Sequence, residues 1–350
     1  MKFLVDAIAM VFAFLAAYAA RSAFAPTIQP LEFYWPLTLF AILGLGLAFG
    51  IFGLYRNHRP VLSFSYLVDF LRALALWGAL VIAFAYLTKT DYSRAVVIIF
   101  FIFSVILLFI SRLIIFRKQN NGARGADREL RQTIEQIVKI SALSSDDLSL
   151  LEGVRRARAP SGIYFFVKRL FDLSFGLIGL ILTLPFYLPI IFYIKKENPG
   201  PTIIRQRRIG QNGQEFILYK FRTMSTDSEL YAAAPRRGDD PRITKTGKWL
   251  RQYSLDELPQ FWNVLKGDMT LVGPRPEMPF IVAKYTDWQK MRLLAKPGIT
   301  GIWQILGRKD LPLEENIEYD LYYIFHQSFF LDLAILLRTL PHLIFPRGAY

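Results

Sequence analysis

Residues 251–276 read RQYSLDELPQFWNVLKGDMTLVGPRP, with two neighbouring carboxylates, Asp256 and Glu257, set between basic residues. An aspartate carboxylate is a competent nucleophile toward phosphoryl groups. A neighbouring glutamate can hold Mg²⁺, which binds through one or two carboxylates together with substrate phosphates. Ser254 stands three residues before Glu257, the capping-box spacing, so a helix is expected to start here. Leu258, Phe261, Trp262 and Leu265 would form its apolar face, and Gly267 would stop it. Pro259 falls just past the first turn, where its missing N–H costs less than in mid-helix. A helix N-terminus favours anions, which would bring a phosphate close to Asp256. The same two residues also suit a plain cap, with Glu257 closing the box and Asp256 facing the dipole.

Basic residues that could hold a phosphate recur nearby. Arg251 ends a basic amphipathic segment begun at Lys245. Gly273-Pro274-Arg275-Pro276 is a rigid turn presenting one guanidinium, the side chain suited to bidentate phosphate contacts. Arg205, Arg207 and Arg208 precede Asn212-Gly213, a hairpin signal, and Lys220 and Arg222 follow it. Taken alone, most of these read as solvated charges or lipid-headgroup contacts. Gly298 and Gly301, in the run before Gln304, would let backbone approach a ligand or simply make turns.

The elements that must position these residues belong to a membrane protein. The chain is 53% hydrophobic with a formal net charge of +14 and no cysteine, which excludes disulfides, thiol nucleophiles and cysteine metal sites. Its three histidines are widely spaced, which argues against a histidine zinc site. Apolar runs at 3–20, 36–55, 67–87 and 95–116 are long enough to span a bilayer. Loop charges orient both ends of this four-span bundle to the cytoplasm. Asp6 and Asp69 lie near span ends and are expected at the interface or paired within the bundle. Residues 119–162 read as a cytoplasmic linker of short helices. The apolar run 173–194 has basic residues on both flanks and Pro185 and Pro189 inside, so a re-entrant hairpin fits better than a fifth crossing. The apolar helix at 328–345 is expected to lie in the membrane interface. The expected fold is mainly α: a transmembrane bundle at 1–118, the linker, then a re-entrant helix with a small α+β cytoplasmic domain over 163–350.

Several separated blocks resemble one family. Ser-Leu-Asp-Glu-Leu-Pro-Gln, Asn-Val-Leu-Lys-Gly-Asp-Met, Val-Gly-Pro-Arg-Pro, Lys220 to Met224 and Pro-Gly-Ile-Thr-Gly before Gln304 are similar, in order, to the bacterial sugar transferases over residues 163–346. These are the monotopic polyprenyl-phosphate phosphoglycosyl transferases. The resemblance implies transfer of a sugar-1-phosphate from a UDP-sugar to undecaprenyl phosphate, releasing UMP through an aspartyl-phosphosugar intermediate. It places that step at the start of exopolysaccharide, capsule or O-antigen synthesis on the inner face of the bacterial cytoplasmic membrane. Asp256 and Glu257 would be catalytic, with Glu257 on Mg²⁺. Lys220, Arg222, Arg251, Arg275, Gln304, Arg308 and Arg208 would bind substrate. Lys168, Arg169, Asp172 and Pro185 would form the re-entrant element, where Leu184 replaces the serine the family often carries before that proline. Asp320, Tyr322 and Tyr323 match a later, structural block. Larger members carry a dinucleotide-fold-like domain that about forty-five linker residues cannot hold. Two other functions remain open: a transferase moving sugar without phosphate, and a non-catalytic scaffold of a glycan assembly complex. A homodimer through the bundle is compatible with the sequence. Nucleic-acid binding has only the net charge in its favour, with no readout motif.

Overall fold

The computed structural model describes residues 2–24, 29–55, 64–90, 92–118, 160–228, 240–306 and 317–344. The chain divides into two compact units, Met1–Gln132 and Thr133–Tyr350. Five helices among the described residues are long and apolar enough to cross a membrane.

The first unit contains α1 (Lys2–Phe24), α2 (Trp35–Ile51), α3 (Phe64–Leu87) and α4 (Arg94–Lys118), close to the spans expected from hydropathy. Met10, Phe14, Tyr34, Phe49, Phe70, Trp77 and Phe100 interlock as its core, while Leu39, Leu43 and Leu47 stay exposed on an outward apolar face of α2. That distribution suits a bundle whose solvent is lipid. Trp77 Nε1 donates to Ala41 O at 2.8 Å and pins α3 to α2. Asp6 receives a two-pronged contact from Arg112, at 2.9 and 2.6 Å, and both are buried. The guanidinium also lies over the Phe49 ring at 5.3 Å. Asp69 makes a longer 3.5 Å pair with Arg72 one turn on.

The second unit opens with α5 (Gly162–Glu197), a single helix that contains Pro185 and Pro189. The expected break at the prolines is therefore absent, and the helix runs through both. Each proline removes only one backbone donor, and Thr183 Oγ1 meanwhile bonds back to Gly179 O at 2.7 Å, a contact that bends helices without ending them. From Leu180 to Pro189 no residue is buried.

Beyond α5, β1 (Ile203–Ile209) and β2 (Glu215–Phe221) form the expected antiparallel hairpin, with Gln206 facing Leu218. Its loop turns at Asn212 and Gly213, φ 56° and 79°. Alternation buries Gln206 and Arg208 and exposes Arg205 and Arg207. Then come α6 (Lys245–Gln252), α7 (Gln260–Lys266) and β3 (Thr270–Val272), which pairs in parallel with β4 (Gly298–Thr300). Finally α8 (Glu318–Phe325) and α9 (Phe329–Ile344) close the domain. The 328–345 segment was expected in the membrane interface. Its Leu331, Ala334 and Ile335 are buried, and Asp332 pairs with Lys168 of α5.

Both halves of α5 are fastened to this one domain. Toward its start, Lys168 Nζ reaches Asp332 Oδ2 at 2.7 Å and Val272 O at 3.1 Å. Arg169 caps the end of α7 through Val264 O and Leu265 O, at 2.7 and 2.9 Å. Asp172 accepts from Thr270 Oγ1 and from the Leu271 backbone N–H at 2.9 Å. Toward its end, Ile190 and Ile194 pack with Phe221 and Leu250, and Glu197 accepts from the first N–H groups of α6.

Candidate active site

Asp256 and Glu257 do not stand at the start of a regular helix. Leu255–Glu257 is a 3₁₀ turn, and α7 begins only at Gln260, after Pro259. Ser254 is left-handed, φ 56°, and its side chain caps nothing, so the capping box is not formed. The turn closes with Glu257 N–H to Ser254 O at 3.3 Å and Leu258 N–H to Leu255 O at 3.4 Å, and Pro259, lacking an N–H, cannot add an α-type bond to Leu255 O. A seven-residue α7 set after the carboxylates leaves any attraction for phosphate here to nearby cations, not to a helix dipole. The expected apolar face also differs. Trp262 is exposed, whereas Asn263 and Val264 are buried.

Asn263 is a site residue that hydrophobic periodicity missed. Its Oδ1 accepts the Tyr219 N–H at 3.1 Å and its Nδ2 donates to Ile217 O at 2.6 Å. It thereby locks α7 to β2, the strand that carries Lys220. The visible signal was an amide between Trp262 and Val264 in an otherwise apolar stretch.

Three cations face the carboxylate turn. Lys220, Arg251 and Arg275 all act electrostatically on Asp256. Burial and the Glu257 charge beside it push the Asp256 pKa up, against the pull of these cations. Burial, then the Arg208 charge, brings Lys220 down to about 8. Arg251 is aimed by Thr223, whose Oγ1 accepts from its Nε at 2.9 Å. Arg275 Nη1 stands 3.3 Å from Glu257 Oε1. The expected grouping of Asp256, Glu257, Lys220, Arg251 and Arg275 is thus one cluster.

The turn that presents Arg275 is held at four successive carbonyls. Pro274 O accepts from Gly298 N–H (2.9 Å), Arg275 O from Arg292 Nη2 (2.7 Å), Pro276 O from Arg208 Nη1 (3.0 Å) and Glu277 O from Ile209 N–H (2.9 Å). Gly298 and Gly301 serve this turn rather than an open ligand surface. A Cβ on Gly298 would fall 2.1 Å from Gly273 N, and one on Gly301 would fall 2.3 Å from Gly273 O.

Of the other expected substrate ligands, Arg208 stands close enough to Lys220 to act on its charge, whereas Arg222 does not join the cluster. Arg222 follows the last residue of β2, and its guanidinium donates to Asn198 O and, at 3.4 Å, to Pro199 O, where the chain leaves α5. It fastens the membrane helix instead of joining the cluster. Arg208 spends its guanidinium on Pro276 O and, at 2.8 Å, on Gln206 Oε1, so it braces the Arg275 turn. Gln304 follows Gly301, and among the described residues its amide atoms are buried without a hydrogen bond. Arg308 and most of the 119–162 linker lie outside the described residues. Lys168, Arg169 and Asp172 are fasteners of α5, as described above.

Glu257 is the carboxylate of this cluster that could hold a magnesium ion, with further ligands needed from outside the protein. Glu257 pairs through one oxygen, and its side chain keeps 23% exposure. Among the described residues no group of three acidic or histidine side chains forms a self-sufficient cage. Mg²⁺ commonly binds in this open manner.

Comparison with known proteins follows this geometry. The bacterial sugar transferase family model matches residues 163–346, more than half of the chain, and the chain belongs to that family. A second model, a CoA-binding domain, matches residues 50–159, a stretch that takes in α3 and α4. An Aeromonas hydrophila UDP-N-acetylgalactosamine-undecaprenyl-phosphate N-acetylgalactosaminephosphotransferase is 36% identical over 63% of this chain and 52% of its own length. The Salmonella typhimurium undecaprenyl-phosphate galactose phosphotransferase is 38% identical over 53% of this chain and 42% of its own. The exopolysaccharide production protein ExoY of Sinorhizobium fredii is 36% identical over 52% of this chain and 88% of its own. The chain thus spans about half the length of the first two relatives and most of the third.

Proposed function

We propose that this protein transfers a sugar-1-phosphate from a UDP-sugar to undecaprenyl phosphate at the inner face of the bacterial cytoplasmic membrane. The observation that carries the reading is the Asp256–Glu257 turn with Arg275 Nη1 3.3 Å from Glu257 Oε1, Arg251 held by Thr223, and Lys220 close enough to act on the Asp256 charge. Names of the relatives, which specify undecaprenyl-phosphate phosphotransferases and exopolysaccharide production, support it.

In this mechanism a carboxylate oxygen of Asp256 attacks the phosphorus bearing the sugar. An Asp–O–P bond forms as the bond to UMP breaks, and UMP leaves with the electron pair. An oxygen of undecaprenyl phosphate then attacks the same phosphorus and frees the Asp256 carboxylate, giving a polyprenyl diphosphate sugar. Lys220, Arg251 and Arg275 orient the diphosphate and oppose its charge. Glu257 would hold Mg²⁺, which supplies charge neutralisation at phosphate oxygens when bound.

The layout of α5 supports a re-entrant element that brings the lipid phosphate to the site. Residues 168–172 and 190–197 both bind one domain, while Leu180–Pro189 between them has no buried residue. The native chain has no cysteine, so single cysteines can report topology. A cysteine placed at Lys196 should resist an impermeant thiol reagent in intact cells; labelling from outside would refute the cytoplasmic placement.

The test of the chemistry is mass spectrometry of nucleotide and lipid products across a UDP-sugar panel with undecaprenyl phosphate and Mg²⁺. Expected are UMP, a diphosphate-linked lipid, and loss of turnover in folded Asp256→Asn. Release of UDP would indicate sugar-only transfer, and silence across the panel would favour a scaffold. Substantial turnover in Asp256→Asn would remove it as nucleophile.

A further inference from the structure

A buried ionic cluster behind the Arg275 turn has no role in the reading above. Arg292 lies in the short 3₁₀ segment Met291–Leu294 and has 2% side-chain exposure, as does Asp320 of α8. Arg292 Nη2 stands 2.7 Å from Asp320 Oδ2, and its Nη1 donates to Tyr285 Oη at 2.6 Å. The guanidinium also lies 5.8 Å from the Tyr285 ring centroid. The same Nη2 donates to the backbone carbonyl of Arg275 at 2.7 Å.

Burying an arginine and an aspartate away from water is costly, and apolar residues of similar volume are often at least as stabilising. Stability alone is therefore a weak account of the pair. What a guanidinium adds is a rigid planar fork that can donate to two partners at fixed angles while its charge pairs with a third; the Asp320 Oδ2 contact is that ion pair, without a hydrogen bond. Here those partners are a carboxylate, a phenol and the main chain of the residue that faces Glu257.

We propose that Arg292, held by Asp320 and Tyr285, is a positioning residue for the phosphate-facing guanidinium of Arg275. It fixes the Arg275 main chain from behind, so the side chain meets the Asp256–Glu257 turn already oriented. This rests on the reading of Arg275 as a phosphate ligand. A lysine in its place keeps the charge but, as a single point donor, loses the fork.

The test uses the full chain in nanodiscs and two readouts. The first is amide hydrogen exchange of the 272–278 segment, which needs no turnover. Arg292→Lys and Asp320→Asn should each speed exchange there about tenfold, while α7 and the β1–β2 hairpin keep their protection. Tyr285→Phe is the gentler variant, removing one acceptor, and should speed exchange about twofold. The second readout is kcat/KM for the donor, expected to fall about tenfold in Arg292→Lys. That loss should vanish when the substitution is made in an Arg275→Ala background. Wild-type exchange in the turn of any folded variant would overturn the proposal. So would a tenfold loss that persists unchanged without the Arg275 side chain, because Arg292 would then act on the domain as a whole. If the wild-type chain transfers nothing, the exchange readout still decides whether Arg292 fixes the turn, and the failure belongs to the proposed reaction.

Discussion

Lys220 offers a test in which stability and activity should move in opposite directions. Burial and the Arg208 charge lower its pKa from an ordinary 10.5 to about 8, against the favourable pull of Asp256. At ~1.36 kcal/mol per unit, that difference is worth at most about 3.4 kcal/mol, a ceiling because the side chain is only partly buried. The unfolded chain binds this proton up to pH 10.5, whereas the folded chain releases it near 8. Stability should therefore carry the full penalty below about pH 8 and recover it between about 8 and 10.5. Lys220→Met removes the penalty, so at pH 7 the variant should melt several degrees above the parent, at ~2–4 °C per kcal/mol.

Catalysis should suffer from the same substitution. A charge-assisted contact to phosphate is worth ~1.5–3 kcal/mol, so Lys220→Met should lose roughly ten- to a hundredfold in kcat/KM. In the parent, kcat/KM for the donor should fall as pH rises through about 8, where the free enzyme loses this charge. Lys220→Arg should be slower at neutral pH yet lack that limb, since arginine stays charged. Thermal melts in nanodiscs and initial rates from pH 6.5 to 9.5 supply both measurements. A lower melting temperature in Lys220→Met would show that the charge is compensated in the fold. A parent profile flat to pH 9.5 would show that its proton does not govern donor use.

Arg222→Ala should leave donor KM within about twofold while exchange of the 198–202 backbone rises, because two carbonyls at the exit of α5 lose their donor. A tenfold rise in KM would return Arg222 to the phosphate site. Gly247→Ala places a Cβ 2.0 Å from Thr223 O, so α6 must shift and carry Arg251 off the Thr223 hydroxyl. A loss of ~1–3 kcal/mol in stability with a matching drop in kcat/KM is expected; wild-type melting and rates would contradict that packing.

Much of the architecture follows from hydropathy and turn chemistry, which act locally. The four apolar runs, the Asn212-Gly213 hairpin and the Gly267 stop all occur where period and left-handed preference put them. The carboxylate cluster was legible because its residues fall in compact motif blocks. What was not legible depends on partners distant in sequence. Nothing local tells Arg222 that it will meet Asn198, or Arg208 that a turn sixty-eight residues away will take its guanidinium. Ser254 has the capping spacing but is left-handed at φ 56° and caps nothing, a backbone state that spacing does not reveal. Arg292 looks like an ordinary charge in the sequence and Asp320 falls in a block read only as structural; the fold buries them together.

The fastening of α5 links these observations to the membrane. A straight helix of its 36 residues would measure ~54 Å, against ~30 Å for the hydrocarbon core of a bilayer. If it crossed the membrane, Lys168 and Glu197 would sit on opposite sides, yet the first pairs with Asp332 and the second caps α6 in one domain. A polar domain cannot follow the helix through lipid, because its strands and turns would carry unsatisfied backbone groups there. The proposed re-entrant path would avoid the conflict, and Thr183, Pro185 and Pro189 stand where it would bend, within the stretch that has no buried residue. Glu197 then becomes more than an end of the membrane segment. By accepting from the first N–H groups of α6 it ties the end of α5 directly to the segment that carries Arg251, so under the proposed function the membrane helix and a cation of the candidate site share one connection.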